Sequence, residues 1–315
     1  MVQQRSETSL ESFMCEETIK VKPIRAKKDI TMTRSVPLEL THLPWQDVIF
    51  QHILPRLSLK DLCRLRGTSN TFLHMFNDYM ASCKRLDFTG FRVSDQGFRK
   101  VVENCENLQR LSMADCDWVT DALLMPVFRN NTSLIYVDLC RCKGLTGAAF
   151  QILVVKCKKL NTLLVGDCPW FSCGCWQVLI LHQTQLQCIN LSGCWNIDLE
   201  TLEQFFQKFP QLKKVDMSKI EKLTDMHLYQ LASHCPGLEV LNVSGCWRLT
   251  DQGLKKVVDY CPRLRVLNVM HCRRVTEQYL CSLLIGGINV VCGHSLTEMV
   301  KRRKSVNHLR INIQI

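Results

Sequence analysis

No run of 18 consecutive apolar residues occurs in the 315-residue sequence, and a bilayer span needs about 20. The first residues lack the apolar stretch of a secretory signal, so a secreted or membrane-spanning protein is disfavoured and one of the cytoplasm, and of the nucleus besides, is expected. Phosphate-binding loops, dinucleotide fingerprints and the G-x-S-x-G elbow of serine hydrolases are all missing. The close thiol groups are Cys140 with Cys142, Cys168 with Cys173 and Cys175, and Cys272 beside His271. None has the paired C-x-x-C spacing of a structural zinc site, and no single thiol stands out as a nucleophile. Catalytic residues, metal ligands and cofactors are therefore not expected.

Charge is plentiful but dispersed. Forty Lys and Arg against 29 Asp and Glu leave a formal net charge of +11, and the densest runs are only Lys27-Lys28 and Lys301-Arg302-Arg303-Lys304. A nucleic-acid surface would interleave aromatics in one basic stripe. The dispersed pattern instead suits a solvated basic face or an acidic protein partner.

What the chain does have is a repeat. A step of 26 residues from Leu241 lands on Leu111, Val137, Leu163, Ile189, Val215 and Leu267, and the same step from Val243 gives Met113, Leu139, Val165, Leu191, Met217 and Val269. Two apolar columns two residues apart describe a short strand with one face turned inward. A third column is Cys116, Cys142, Cys168, Cys194, Ile220, Cys246 and Cys272. A fourth, Thr120, Thr146, Ser172, Asp198, Thr224, Thr250 and Thr276, can cap a helix start, and apolar residues at helical spacing follow each. Ten of the 19 cysteines sit in the turn column or in a helix-end column, Cys105, Cys157, Cys235 and Cys261. A small, weakly polar side chain fits where units press together. An odd total with this repeat-locked spacing argues for reduced thiols.

The L-x-x-L-x-L-x-x-C core followed by T-D, best seen from Cys235 to Leu254, resembles the cysteine-containing leucine-rich repeats. The resemblance implies an α/β repeat solenoid, with a parallel inner sheet and outer helices. Eight strands at about 4.8 Å spacing would give roughly 35 Å of inner surface, a docking face rather than a pocket.

Residues 1–37 are polar and without apolar period, and read as a disordered arm; Lys20–Lys28 is a weak candidate nuclear signal. From Leu40 the composition changes. Leu43-Pro44-Trp45-Gln46-Asp47-Val48-Ile49, Ile53-Leu54, Leu57, Leu59, Asp61-Leu62, Leu65 and Phe72-Leu73 place apolar residues at helical spacing in blocks too short to be stable alone. Three packed helices over 38–80 are expected. This stretch resembles an F-box, departing from its pattern at Gln46, Gly67 and Phe72. Residues 81–285 are then the repeats, opening with an imperfect unit from Cys83 to Asp95. Residues 286–315 are a cap and tail, with Gly286-Gly287 ending a helix, a strand at Ile288–Val290, a short helix at Ser295–Lys304 and an edge strand at His308–Ile315.

An F-box followed by such repeats resembles the F-box/leucine-rich-repeat proteins. That implies a non-catalytic substrate receptor of an SCF-type ubiquitin ligase, with a Skp-type adaptor, a cullin, a RING subunit and a target protein as partners, and neither nucleic acid nor membrane. The alternative is a scaffold that binds proteins without ubiquitin transfer. By the family's pattern the adaptor-facing residues are Leu43, Pro44, Val48, Ile49, Leu59 and Leu62; the alternatives are that they pack inside the module, above all Val48 and Leu62, or that residues 40–80 only cap the solenoid. For the target, alternation along the strand places Asp138, Asn190, Asp216, Asn242 and Asn268, with Ser112 and Leu164 in the same column, on the open wall. Trp118, Trp170, Trp195 and Trp247 stand at the rim, where each is either an interface anchor or part of a packing ladder.

Overall fold

The computed structural model describes residues 43–194 and 199–292. The arm, Trp195, Asp198, the helix expected at Ser295–Lys304 and the strand expected at His308–Ile315 lie outside them. Contacts divide the chain into two compact units, the first ending at Met75 and the second beginning at Phe76.

The first unit is helical. Helix α1 (Trp45–Ile53) is wound wider than an α-helix, and the amides of both Val48 and Ile49 donate to the Pro44 carbonyl (3.1 and 3.3 Å). A 3₁₀ turn, Leu54–Arg56, places Pro55 early, where its missing N–H costs nothing. Helix α2 (Leu59–Arg66) is capped by Ser58, whose hydroxyl accepts from the Asp61 amide, and it ends at Gly67. Helix α3 (Asn70–Ser82) follows, and the division between the units falls inside it.

In the second unit strand, turn and helix alternate: β1 (Arg85–Asp87), α4 (Asp95–Val102), β2 (Arg110–Ser112), α5 (Asp121–Asn130), β3 (Tyr136–Asp138), α6 (Gly147–Lys156), β4 (Thr162–Leu164), α7 (Cys173–His182), β5 (Cys188–Asn190), α8 (Leu199–Lys208), β6 (Lys214–Asp216), α9 (Asp225–His234), β7 (Val240–Asn242), α10 (Asp251–Tyr260), β8 (Val266–Asn268), α11 (Glu277–Ile285) and β9 (Asn289–Val291). The nine strands form one open parallel sheet in chain order. The 26-residue step is its register, with Leu111 opposite Val137, Val137 opposite Leu163, and so on to Leu267. Both apolar columns are buried between sheet and helices, all at 0% exposure except Val269 at 3%. An aromatic run is buried in the same core: Phe171, Trp176, Phe205 and Phe209, with successive ring centroids 5.1, 5.1 and 4.7 Å apart. The expected end of the last helix holds too. Gly286 closes α11, and Gly287 takes a φ of +91°, open to glycine.

Three side-chain ladders tie unit to unit. The turn-column thiols donate to main-chain carbonyls of the preceding unit: Cys116 to Phe88, Cys142 to Met113, Cys168 to Leu139, Cys194 to Val165, Cys246 to Met217 and Cys272 to Val243, at 3.0 to 3.5 Å. The helix-end column does likewise, Cys157 and Cys235 reaching the carbonyls of Asn131 and Phe209 (both 3.5 Å). Asn131 and Gln183 occupy the same column and donate with stronger amide groups, to the Cys105 and Cys157 carbonyls (2.8 and 3.0 Å). In the third ladder the cap residue of one helix bonds the first acid of the helix before it: Thr146 to Asp121, Thr250 to Asp225 and Thr276 to Asp251. This explains the Asp of the Thr-Asp pair. Thr146, Thr250 and Thr276 also accept from their own helix amides, as expected of caps. Thr120 and Ser172 do not; at Thr224 the amide donates to Nδ1 of His227 (3.0 Å) in a capping box.

Candidate protein-docking face

Of the adaptor-facing candidates, Pro44 is exposed and Leu43, Val48 and Leu59 are half-buried. Ile49 and Leu62 are buried, at 0% and 6% exposure, and are corrected from contact residues to interior ones. A short amphipathic helix in a small module must spend some of its apolar residues on its own interior, and these two are spent there together with Leu54 and Met75.

The strand column lies where alternation placed it but is not open. Asp138, Asn190, Asp216, Asn242 and Asn268 are only 5–7% exposed. The side-chain oxygen of each accepts the amide two residues on: Cys140, Ser192, Ser218, Ser244 and Met270, at 2.8 to 3.1 Å. The Asn242 amide group also donates to Asp216 (2.8 Å). These are Asx turns that close the strand ends. The open-wall expectation is corrected: strands about 4.8 Å apart pack the column into a continuous ladder, leaving little surface for a partner. Burial raises the pKa of both Asp138 and Asp216 above the usual carboxylate range.

The rim tryptophans divide. Trp118 sits edge-on to Phe98 (5.6 Å) and Phe88 (6.4 Å). Trp170 packs on Phe150 (5.8 Å) and Phe171 (6.0 Å), and its Nε1 donates to the Cys142 carbonyl of the preceding unit (2.7 Å). Both serve packing, on phenylalanines rather than on one another. Trp247 is different: it is 40% exposed.

The turns at this edge share a feature that sequence reasoning missed. The residue before each turn-column position is left-handed: Asp115, Arg141, Asp167, Gly193, Lys219, Gly245 and His271 have φ between +53° and +76°. Glycine at two of these places was the available signal. Most of the others carry charge, and they pair along the rim. Arg141 holds Asp115 with two N–H groups, and Lys219 reaches back over Gly193 to Asp167 (3.1 Å). A side chain on Gly193 would run into the Asp167 carboxylate. Arg141, Lys143, Asp167, Cys168, Pro169, Phe171 and Gly193 line a shallow cleft between these pairs.

Burial pushes the thiols up, to about 12 for Cys116, Cys168 and Cys246, so they stay protonated donors at neutral pH. Among the described residues no three His, Cys, Asp or Glu come together as a metal site.

Nine parallel strands in chain order, seven of them (β2 to β8) at one fixed 26-residue period, alternating with helices and tied by cysteines, define a leucine-rich-repeat solenoid. A family model described as Leucine Rich repeat matches residues 234–258, the stretch around Cys246. More particularly, the chain is 31% identical over 123 residues to "F-box/LRR-repeat protein 15" of Mus musculus, covering 38% of this chain and 41% of the relative. The Rattus norvegicus protein of that name matches to the same extent. A third relative, "Antagonist of mitotic exit network protein 1" of Eremothecium gossypii, is 27% identical over 202 residues, 57% of this chain and 51% of its own length. The chain thus spans about half or less of the curated relatives it matches. One solved neighbour is a chain of the Rad7 and Elc1 complex in yeast, with 14% identity, TM-score 0.45 and coverage of 74% of this chain and 75% of that one. Another is the leucine-rich repeat-containing protein LegL7 from Legionella pneumophila, with 11% identity, TM-score 0.46 and coverage of 67% and 74%. The matched repeat and the curated relatives support an F-box/LRR protein.

Proposed function

We propose that this chain is the substrate-recognition subunit of an SCF-type ubiquitin ligase. Residues 38–80 act as the F-box and bind a Skp-type adaptor, itself joined to a cullin and a RING subunit, while the repeats over 81–285 hold a target protein. One observation supports the reading: a small helical unit that leaves Pro44 exposed and Leu43, Val48 and Leu59 half-buried precedes a leucine-rich-repeat solenoid. The likeness to F-box/LRR-repeat protein 15 supports it. The chain supplies no reacting group. Transfer is accelerated by proximity, because a held target lysine meets the charged ubiquitin carrier at high effective concentration. We place this activity in the cytoplasm, with the nucleus as a second compartment.

Immunoprecipitation of the full chain followed by blots for adaptor and cullin tests the reading, with the Leu43→Ala/Pro44→Ala double variant as control. Adaptor and cullin are expected with the parent chain, and neither with the variant, whose repeats remain folded. Adaptor without cullin would favour the scaffold alternative. Adaptor retained by the double variant would leave 38–80 as a mere cap on the repeats.

A further inference from the structure

The edge of the sheet at the ends of β6, β7 and β8 differs from the rest of the rim. Its turns, 219–224, 245–250 and 271–276, contain five Lys or Arg and a single acid, Glu221. Lys219 is engaged by Asp167. The remaining four cations, Lys222, Arg248, Arg273 and Arg274, are exposed and have no ion pair among the described residues. Of the acids that begin the adjoining helices, Asp225 and Asp251 are occupied by the cap hydroxyls of Thr250 and Thr276, and Glu277 makes no ion pair with these cations. In the middle of the cations stands Trp247, the only exposed tryptophan among the described residues, with the Arg248 guanidinium 4.9 Å and that of Arg274 5.8 Å from its ring centroid.

Such a ring stabilises the guanidinium groups over it while leaving their N–H forks free for carboxylates. We propose that this rim docks a short acidic segment of the captured protein, with Asp and Glu carboxylates on Arg248, Arg273, Arg274 and Lys222 and an apolar side chain against the open part of Trp247. The proposal rests on the repeats being a protein-docking face. Scale agrees: three adjacent turns at about 4.8 Å per strand cover roughly 10 Å, the length of three or four extended residues. The charge along the rest of the edge argues against a nucleic-acid backbone. Toward β2 and β4 it carries charges of both signs, Asp115, Asp117 and Asp167 with Arg141 and Lys143, so a strand charged at every step would meet carboxylates as well as cations, whereas a short segment need not.

The test uses purified full chain and a fluorescein-labelled peptide of Asp and Glu around one central Leu, read by anisotropy. Binding is expected to fall at least about tenfold in Arg248→Gln/Arg274→Gln and in Trp247→Ala, and to weaken steeply with salt. Lys256→Glu, an equal or larger charge change on the exposed face of α10, should leave it unaltered. Circular dichroism and melting curves identify any variant that fails to fold, and the conservative Arg248→Lys keeps the charge if glutamine does not fold. Equal binding of the Asn/Gln counterpart peptide, equal loss in Lys256→Glu, binding only when phosphoserine replaces Asp, or preferential capture of a single-stranded oligonucleotide would each overturn the proposal. Because no adaptor is present, peptide binding without adaptor co-precipitation would fail the ligase reading and leave this one standing.

Discussion

Replacing Asn131 by alanine should be among the most damaging single changes in the solenoid, and its cost can be worked from the contacts. Asn131 is 1% exposed. Its side-chain oxygen accepts from the Leu108 amide (2.9 Å), and its amide group donates to the carbonyls of Cys105 (2.8 Å) and Val127 (3.0 Å). The Val127 carbonyl keeps a second donor, the Asn131 main-chain amide (3.0 Å). Alanine therefore orphans two buried main-chain groups, the Leu108 N–H and the Cys105 C=O. At about 1–3 kcal/mol for each unsatisfied group, the loss is about 2–6 kcal/mol. Asn131→Cys should lose roughly half of that, because a thiol here can still donate to Cys105, as Cys157 donates to Asn131 one unit later (3.5 Å), but cannot replace the acceptor for Leu108. Urea titrations of parent, Cys and Ala proteins should give midpoints in that descending order at unchanged slope. An alanine protein within about 1 kcal/mol of the parent, or a cysteine protein less stable than the alanine one, would refute the ladder reading.

Leu241→Ala removes a fully buried side chain from the middle of the sheet and should cost about 2–5 kcal/mol; an unchanged unfolding midpoint would contradict the register. Burial raises the Asp138 pKa above its reference of 3.8, so its contribution to stability is present below that value and is lost as pH rises through the folded pKa. Asp138→Asn keeps the turn bond that Asn190 and Asn242 make and removes a buried charge. It should melt higher at about pH 7, by about 2–4 °C per kcal/mol, and no higher at about pH 3; a lower melting point at neutral pH would refute this. His227 is buried with its pKa lowered below 6.5 by that burial, and its Nδ1 must stay unprotonated to accept from Thr224. Stability is full above about pH 6.5 and falls as pH drops through the folded pKa. His227→Gln should flatten the decline in melting temperature from about pH 7 to about pH 5, and an unchanged slope would show that His227 does not drive it.

The solenoid was legible because its signal repeats. Leu111 alone could belong to a helix or a strand, but seven apolar residues at one step, with Met113 and its successors two places on, admit one register. What the step does not report is depth. Asp138 and Asn242 fall on the predicted side of the strand, yet neighbouring strands and their own downstream amides cover them. Periodicity likewise marked the cysteines as small and buried, without revealing that their S–H groups point at carbonyls one unit back. In the helical unit the limit is length: over Trp45–Ile53 an apolar residue that packs inside and one that meets a partner obey the same spacing, so Ile49 could not be told from Val48. Trp247 differs from Trp118 and Trp170 only by what surrounds it, arginines rather than phenylalanines, and those neighbours are brought together by the fold.

The cysteine and threonine ladders have a direction. The thiols of Cys142, Cys168 and Cys246 and the hydroxyls of Thr250 and Thr276 give their protons to acceptors in the unit before them. A chain emerging from the ribosome makes its N-terminal units first. Each later unit then arrives with its donors to find the matching carbonyl or carboxylate already in place, and at these ladder positions no unit waits with an unmet donor for one not yet synthesised. Assembly can advance by one 26-residue step at a time behind the exit tunnel. A release that stops partway leaves the acceptors of these two ladders at the growing end, where water can serve them.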